Sequence, residues 1–71
     1  MQKNQPKNIR LVVAMAERGL ANSELAQMAG MNPSHLSATI RQRYEPRPLT
    51  MGRIARALQM KVIDLFPGGA Q

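Results

Sequence analysis

Cysteine and tryptophan are both absent from this chain. Without cysteine, neither a disulfide framework nor a thiolate zinc site can form, so the packing of apolar side chains must supply the stability. Aromatic residues are also scarce, at 3% of the sequence, although hydrophobic residues make up 44%. The core must therefore be built from aliphatic, alanine and methionine side chains, which helices accommodate well.

Acidic residues are the next scarcity. Four Asp and Glu stand against ten Lys and Arg, which gives a net charge of +6 and an isoelectric point near 11.3. This excess favours a polyanionic partner, with nucleic acid as the first candidate and a merely solvated basic surface as the alternative. A membrane-surface peptide is disfavoured because the basic residues are spread over several segments.

Long hydrophobic runs are missing as well. The longest uncharged apolar run, residues 11–16, falls far short of the roughly 20 residues that cross a bilayer, and no signal-peptide pattern opens the chain. We therefore expect a cytoplasmic protein that does not contact membranes. A chain of 71 residues has room for one domain, which we expect at 8–66 between a flexible arm at 1–7 and a tail at 67–71.

Catalytic groupings are absent too. The four acidic residues are scattered, no nucleophile stands beside a base and an orienting group, and no glycine-rich phosphate loop occurs. A single histidine, His35, is a poor basis for a metal site when cysteine is lacking. We expect no enzyme activity, no metal, no cofactor and no small-molecule substrate.

The spacing of apolar residues predicts five helices, of which the first two precede a glycine turn. The first covers residues 8–18, ends at Gly19, and is expected to bury Ile9, Val12, Val13 and Ala16. The second is expected to be capped by Asn22 or Ser23 and to end at Gly30, and its expected inward residues are Leu25, Ala26, Met28 and Ala29.

Three further helices follow. Asn32 and Pro33 form a strong helix-start signal, and the third helix is expected to bury Leu36 and Ile40 while its other side stays bare. Residues 41–48 hold two prolines and three arginines, which indicates a basic loop. Apolar residues then predict a fourth helix and a short fifth one: Met51, Ile54, Ala55 and Leu58, followed by Val62, Leu65 and Phe66.

The segment 20–40 combines two short helices, a tight turn and a small residue where the helices would cross. Ala26 allows the two backbones to approach, Gly30 accepts a positive φ in the turn, and Leu25 with Leu36 sets the angle between the helices. This is the pattern of a helix-turn-helix, whose second helix is held outward for the DNA major groove.

Four stretches of the chain carry a family resemblance: RGL at 18–20, ELAQMAGMNPSHLS at 24–37, RIARAL at 53–58 and DLF at 64–66. Together they make the run from residue 18 to residue 66 resemble the lambda-repressor-like, Cro/C1-type (XRE) helix-turn-helix family. The resemblance implies an all-α, compact five-helix bundle that binds operator DNA, commonly as a dimer. It also implies regulation of transcription in bacteria, phages or plasmids.

The resemblance further implies which residues meet DNA. The base-reading positions fall on the third helix: Pro33, Ser34, His35 and Ala38, flanked by Ser37 and Arg41. The phosphate-contacting candidates lie at the start of the second helix, in the basic loop and on the fourth helix: Asn22, Gln42, Arg43, Arg47 and Arg53. Serine and histidine can hydrogen-bond base edges, and Ala38 can touch a thymine methyl group. No Gln or Asn occupies a reading position, so specificity is expected to rest partly on Arg41, Arg43 or DNA shape.

Several positions depart from the family pattern. Ala21 stands where Thr usually caps the second helix, so Asn22 is expected to act as the cap and to lose its free side chain. Met15 and Ile40 occupy the positions at which many members bury an Arg against a Glu, which predicts an apolar pair. Thr39 stands where a core aliphatic residue is expected.

The hypothesis that unites these features is a sequence-specific transcriptional regulator of the repressor type, which places residues 33–41 in the major groove of double-stranded operator DNA. A homodimer is expected to read two half-sites, with its interface on the fourth and fifth helices and the tail, around Leu65 and Phe66. The alternative is an antitoxin or partner-docking module whose basic surface is incidental.

Overall fold

The computed structural model describes residues 7–42 and 46–67. Within those ranges the chain is all-helical, without a β-strand. Its elements are α1 (Ile9–Glu17), α2 (Asn22–Ala29), α3 (Pro33–Ile40), α4 (Pro48–Leu58) and α5 (Val62–Leu65). The expected all-α class and five-helix architecture are confirmed.

Helices α2 and α4 form the centre of the bundle. Leu25, Ala26 and Ala29 of α2 are buried where α2 packs against α4 and α3. All four apolar residues predicted to face inward from α4 are buried, from Met51 through Leu58. Leu36 and Ile40 of α3 also join the core. Burial of these side chains is the main favourable term that holds the helices together.

Helix α1 turns a different face to the core from the one that the sequence predicts. Its buried residues are Leu11, Ala14 and Met15, and they lie on the side of α1 that packs against α3 and α5. The residues expected to be buried are instead exposed: Ile9 (59%), Val12 (37%), Val13 (46%) and Ala16. Because α1 carries apolar stripes on two opposite sides, helical periodicity alone does not select the buried one.

One other expectation about burial is wrong. Met28 is exposed, because α2 packs against its neighbours through Leu25, Ala26 and Ala29. Leu65 and Phe66 are buried in the core of their own domain, so these two side chains are not available to the expected dimer interface, although Ile63 of α5 is exposed.

Helix α4 begins at Pro48, inside the segment that was predicted to be loop. Proline is favoured at the first position of a helix because its fixed φ suits the helix and its missing N–H would have no partner there. Residues 43–45 of the predicted loop lie outside the described residues, as do 1–6 of the predicted arm and 68–71 of the predicted tail.

Asn8 holds three helices together just before α1 begins. Its Oδ1 accepts from the Leu11 N–H at 3.0 Å, which caps α1, and its Nδ2 donates to the Leu65 carbonyl at 2.9 Å. The Asn8 backbone N–H donates to the Ile40 carbonyl at 2.8 Å. The start of α1 is thereby joined to the ends of α3 and α5, which fixes the C-terminal end of α3 relative to α1.

Candidate nucleic-acid interface

A tight turn joins α2 to α3. Gly30 ends α2 in the left-handed conformation (φ 69°), where a Cβ would be strained, and the Met31 N–H donates to the Ala26 carbonyl at 2.8 Å. Asn32 then caps α3 through its Oδ1, which accepts from the Ser34 N–H at 2.8 Å, and Pro33 occupies the first helical position. The local sequence thus specifies both the end of α2 and the start of α3, as the helix-turn-helix prediction requires.

Helix α3 has one buried side and one outward side. Leu36, Thr39 and Ile40 are buried, and Thr39 takes the place of the expected aliphatic residue by donating its hydroxyl to the His35 carbonyl at 3.0 Å. The predicted base-reading residues lie on the other side or at its edge. Pro33, Ser34, His35 and Arg41 are exposed, whereas Ser37 and Ala38 are half-buried.

Asn22 connects α2 to α3 on the outer surface. The N-cap of α2 is Ala21, whose N–H donates to the Glu24 carboxylate at 2.8 Å, so the expectation that Asn22 or Ser23 caps this helix is wrong. The Asn22 side chain is used differently, because its Nδ2 donates to the Ser37 hydroxyl oxygen at 2.9 Å. Asn22, a predicted phosphate contact, and Ser37, a predicted base-reading residue, are therefore brought together.

A cleft of about 220 Å³ opens beside this hydrogen bond, between α1, the start of α2 and the end of α3. Its lining comprises Lys7, Val12, Met15, Asn22, Ser37, Ile40 and Arg41. Met15 and Ile40, the predicted apolar pair, both belong to the core and both line this cleft. Two cations and two hydrogen-bonding side chains around an apolar floor form a set that can hold an oxyanion such as a phosphodiester.

Lys7 is the cleft residue that the sequence analysis missed, because it was assigned to the flexible arm. It lies directly before Asn8, whose bonds to α3 and α5 hold this part of the backbone in place. The proximity of Lys7 to Asn22 and Arg41 depends on tertiary packing. The only local signal was its position next to a helix cap.

The remaining phosphate candidates lie elsewhere on the surface. Gln42 is exposed directly after the end of α3 and has a left-handed backbone (φ 58°), and Arg47 is exposed at the N-cap of α4. Arg53 is exposed on α4. None of these three lines the cleft. Arg43 lies outside the described residues.

In residues 7–42 and 46–67, no three His, Cys, Asp or Glu side chains come together in a way that could hold a metal ion. No helix in the same ranges is both long enough and apolar enough to cross a membrane.

Two short helices, a left-handed glycine between them and an outward second helix define the helix-turn-helix class. Comparison with protein families agrees, since the family model described as helix-turn-helix matches residues 13–65. The chain therefore belongs to the Cro/C1-type (XRE) helix-turn-helix family, whose members are typically DNA-binding transcription regulators and not enzymes. Neither the search of curated proteins nor the search of solved structures gave a match to the chain.

Proposed function

We propose that this protein is a sequence-specific regulator of transcription that inserts α3 into the major groove of double-stranded DNA. The observation that carries the proposal is the outward flank of α3, where short polar side chains stand exposed on a helix whose opposite side is buried. A helix can enter the major groove only if the flank that meets the base edges is free of the protein's own core.

Base reading falls to the N-terminal half of α3 in this proposal. Ser34 and His35 offer hydroxyl and imidazole groups to base edges, and Pro33 limits how closely the helix start can approach. Ala38 provides a methyl group for contact with a thymine methyl. Arg41, at the end of α3, can reach either a guanine edge or the DNA backbone.

Phosphate binding falls mainly to the cleft beside α3. Lys7 and Arg41 supply positive charge there, and Asn22 supplies an amide already oriented by its bond to Ser37. Gln42, Arg47 and Arg53 are proposed to contact the DNA backbone further along the protein surface, and Arg43, outside the described residues, is proposed as a further phosphate contact. Such contacts fix the register of α3 on the duplex without reading its sequence.

More specifically, the protein is proposed to be a transcriptional repressor that acts in the cytoplasm and belongs to a bacterium, phage or plasmid. Residues 8–66 are proposed as the DNA-binding domain, acting as a homodimer on a pseudo-palindromic operator. A single short helix contacts few bases, and two copies on half-sites about 34 Å apart provide the affinity and discrimination that one copy lacks.

The test begins with selection of bound duplexes from a random pool, followed by anisotropy titrations on the recovered site. Ser34→Glu and His35→Glu are each expected to abolish specific binding while the circular dichroism of the helices is unchanged. Ile63→Glu is the matched control, because it adds the same acid to an exposed position on α5. If both α3 variants bound the recovered site as tightly as the unmodified protein, the assignment of the reading helix would be wrong.

Salt dependence separates DNA binding from a partner-docking function. The logarithm of the binding constant is expected to fall with the logarithm of salt concentration at about 0.9 per phosphate neutralised. Binding that does not respond to salt, or the absence of any selected site, would favour the partner-docking module.

A further inference from the structure

One face of α1 is exposed although its side chains are apolar, and of these Val12 also lines the cleft beside α3. Ile9, Val12, Val13 and Ala16, which we call the outer stripe, recur at the spacing of one helical face, and all four are exposed. Three of them are among the large hydrophobic residues left exposed in the described part of the chain: Ile9, Val12, Val13, Met28, Leu49 and Ile63. Among the helices that the structure describes, α1 thus carries the most exposed large apolar side chains.

The composition of the outer stripe suits contact with another helix. Three of its members are β-branched, so each has few side-chain rotamers to lose on burial. Ala16 is small enough to leave room for a large side chain from a facing helix. The core-facing residues Leu11, Ala14 and Met15 occupy the opposite side of α1, so this second contact would not compete with the fold.

We propose that the outer stripe is the surface on which a second copy of this chain docks, with the two α1 helices antiparallel about a two-fold axis. In the register that sets Val12 against Val13 of the second copy, Ile9 faces Ala16 of the second copy, a large residue against a small one. The same pair of contacts recurs on the other side of the axis, as an isologous interface requires.

Charge complementarity argues for this occupant. Arg10 and Glu17 lie seven residues apart, two full turns of helix, so they flank the outer stripe on the same side. In the antiparallel register, each Arg10 comes within about one turn of Glu17 of the second copy, which gives two opposite-charge pairs. Among residues 7–42 and 46–67, Glu17 has only a long ion pair with Arg18, at 3.8 Å, and 69% of its side chain is exposed.

This inference rests on the proposed function for its biological meaning, since a two-fold pair presents two copies of α3 to a pseudo-palindromic site. It also places the dimer interface on α1 and not on α4 and α5, where Leu65 and Phe66 are buried. The bond from Asn8 to the Ile40 carbonyl ties α1 to the end of α3, so the pairing of α1 helices would set the position of each reading helix.

Sedimentation equilibrium of the full chain, over a range of concentrations and without DNA, tests the pairing. Arg10→Glu and Glu17→Arg are each expected to weaken the dimer about tenfold, because each change turns two attractive pairs into repulsive ones. The double variant is expected to restore the dimer. Arg10→Glu lowers the net charge of each copy by two. If only overall charge repulsion mattered, this variant would therefore strengthen the dimer, whereas loss of the specific pairs is expected to weaken it.

Apolar contact is tested by Val13→Lys, which is expected to give a monomer, with Ile63→Lys as the control that stays dimeric. The exposure of both positions keeps the fold intact, which circular dichroism verifies. A monomer at every concentration, a dimer unaffected by these variants, or a double variant that stays monomeric would each overturn the proposal. So would a monomer whose outer stripe binds an acidic protein instead. Binding of Val13→Lys to a single half-site duplex measures DNA recognition separately, so the two proposals can fail independently.

Discussion

Asn8→Ala removes two side-chain hydrogen bonds from a residue that is only 8% exposed. Loss of the bond to the Leu11 N–H uncaps α1, which costs about 1 kcal/mol. Loss of the bond to Leu65 leaves a carbonyl in a buried site without that donor, which costs about 1–3 kcal/mol. We therefore expect the free energy of unfolding to fall by about 2–4 kcal/mol, a large part of the total stability of a small domain.

Urea denaturation followed by circular dichroism measures this loss, provided that the slope m is unchanged. Asn32→Ala is the matched control, because Asn32 is exposed and its side chain caps only α3, so the expected loss is about 1 kcal/mol. Asn8→Ser separates the two terms, since serine can cap α1 but is too short to reach Leu65. If Asn8→Ala cost no more than Asn32→Ala, the link between α1 and α5 would contribute nothing, and the reasoning would be refuted.

Three further changes give measurable outcomes. Gly52→Ala is expected to stabilise the protein by up to about 1 kcal/mol in thermal unfolding, because Gly52 lies within α4 and a Cβ there meets no atom within 4 Å; an unchanged melting temperature would contradict this. Ala21→Ser adds the missing side-chain acceptor at the N-cap of α2 and is expected to gain about 1 kcal/mol in urea denaturation, unless Ala21 is not the cap. Lys7→Ala is expected to weaken specific and nonspecific DNA binding alike and to reduce the salt slope by about 0.9, whereas a loss confined to one sequence would exclude phosphate contact.

The helix-turn-helix could be predicted from the sequence because its signals are local. Gly30 and the Asn32–Pro33 pair specify the turn through their own backbone preferences, and the structure uses them in that way. The buried side of α4 was equally predictable, since its apolar residues form one stripe, although its start at Pro48 fell within the predicted loop.

The predictions of burial failed where the buried side of a helix is decided by tertiary packing and not by the local sequence. Val12 and Val13 fit a helical stripe as well as Leu11 and Met15 do, and only packing against α3 and α5 decides between the two faces. Lys7 joined the candidate site for a similar reason, because its neighbours in the cleft come from the start of α2 and the end of α3. The base-reading assignments concern a partner that is not part of this fold, and they stay predictions.

The hydrogen bond from Asn22 to Ser37 has a consequence for how binding preference could change. It spans the exposed junction of α2 and α3, while Ala26 and Leu36 are fully buried beneath, so α3 is held from both sides and cannot roll about its own axis without breaking contacts. Ser34 and His35 stand outside that clamp. Substituting Ser34 and His35 would change the chemical groups that face a DNA duplex, while α3 keeps its orientation. These two positions are therefore the natural starting point for redirecting the protein to another DNA sequence.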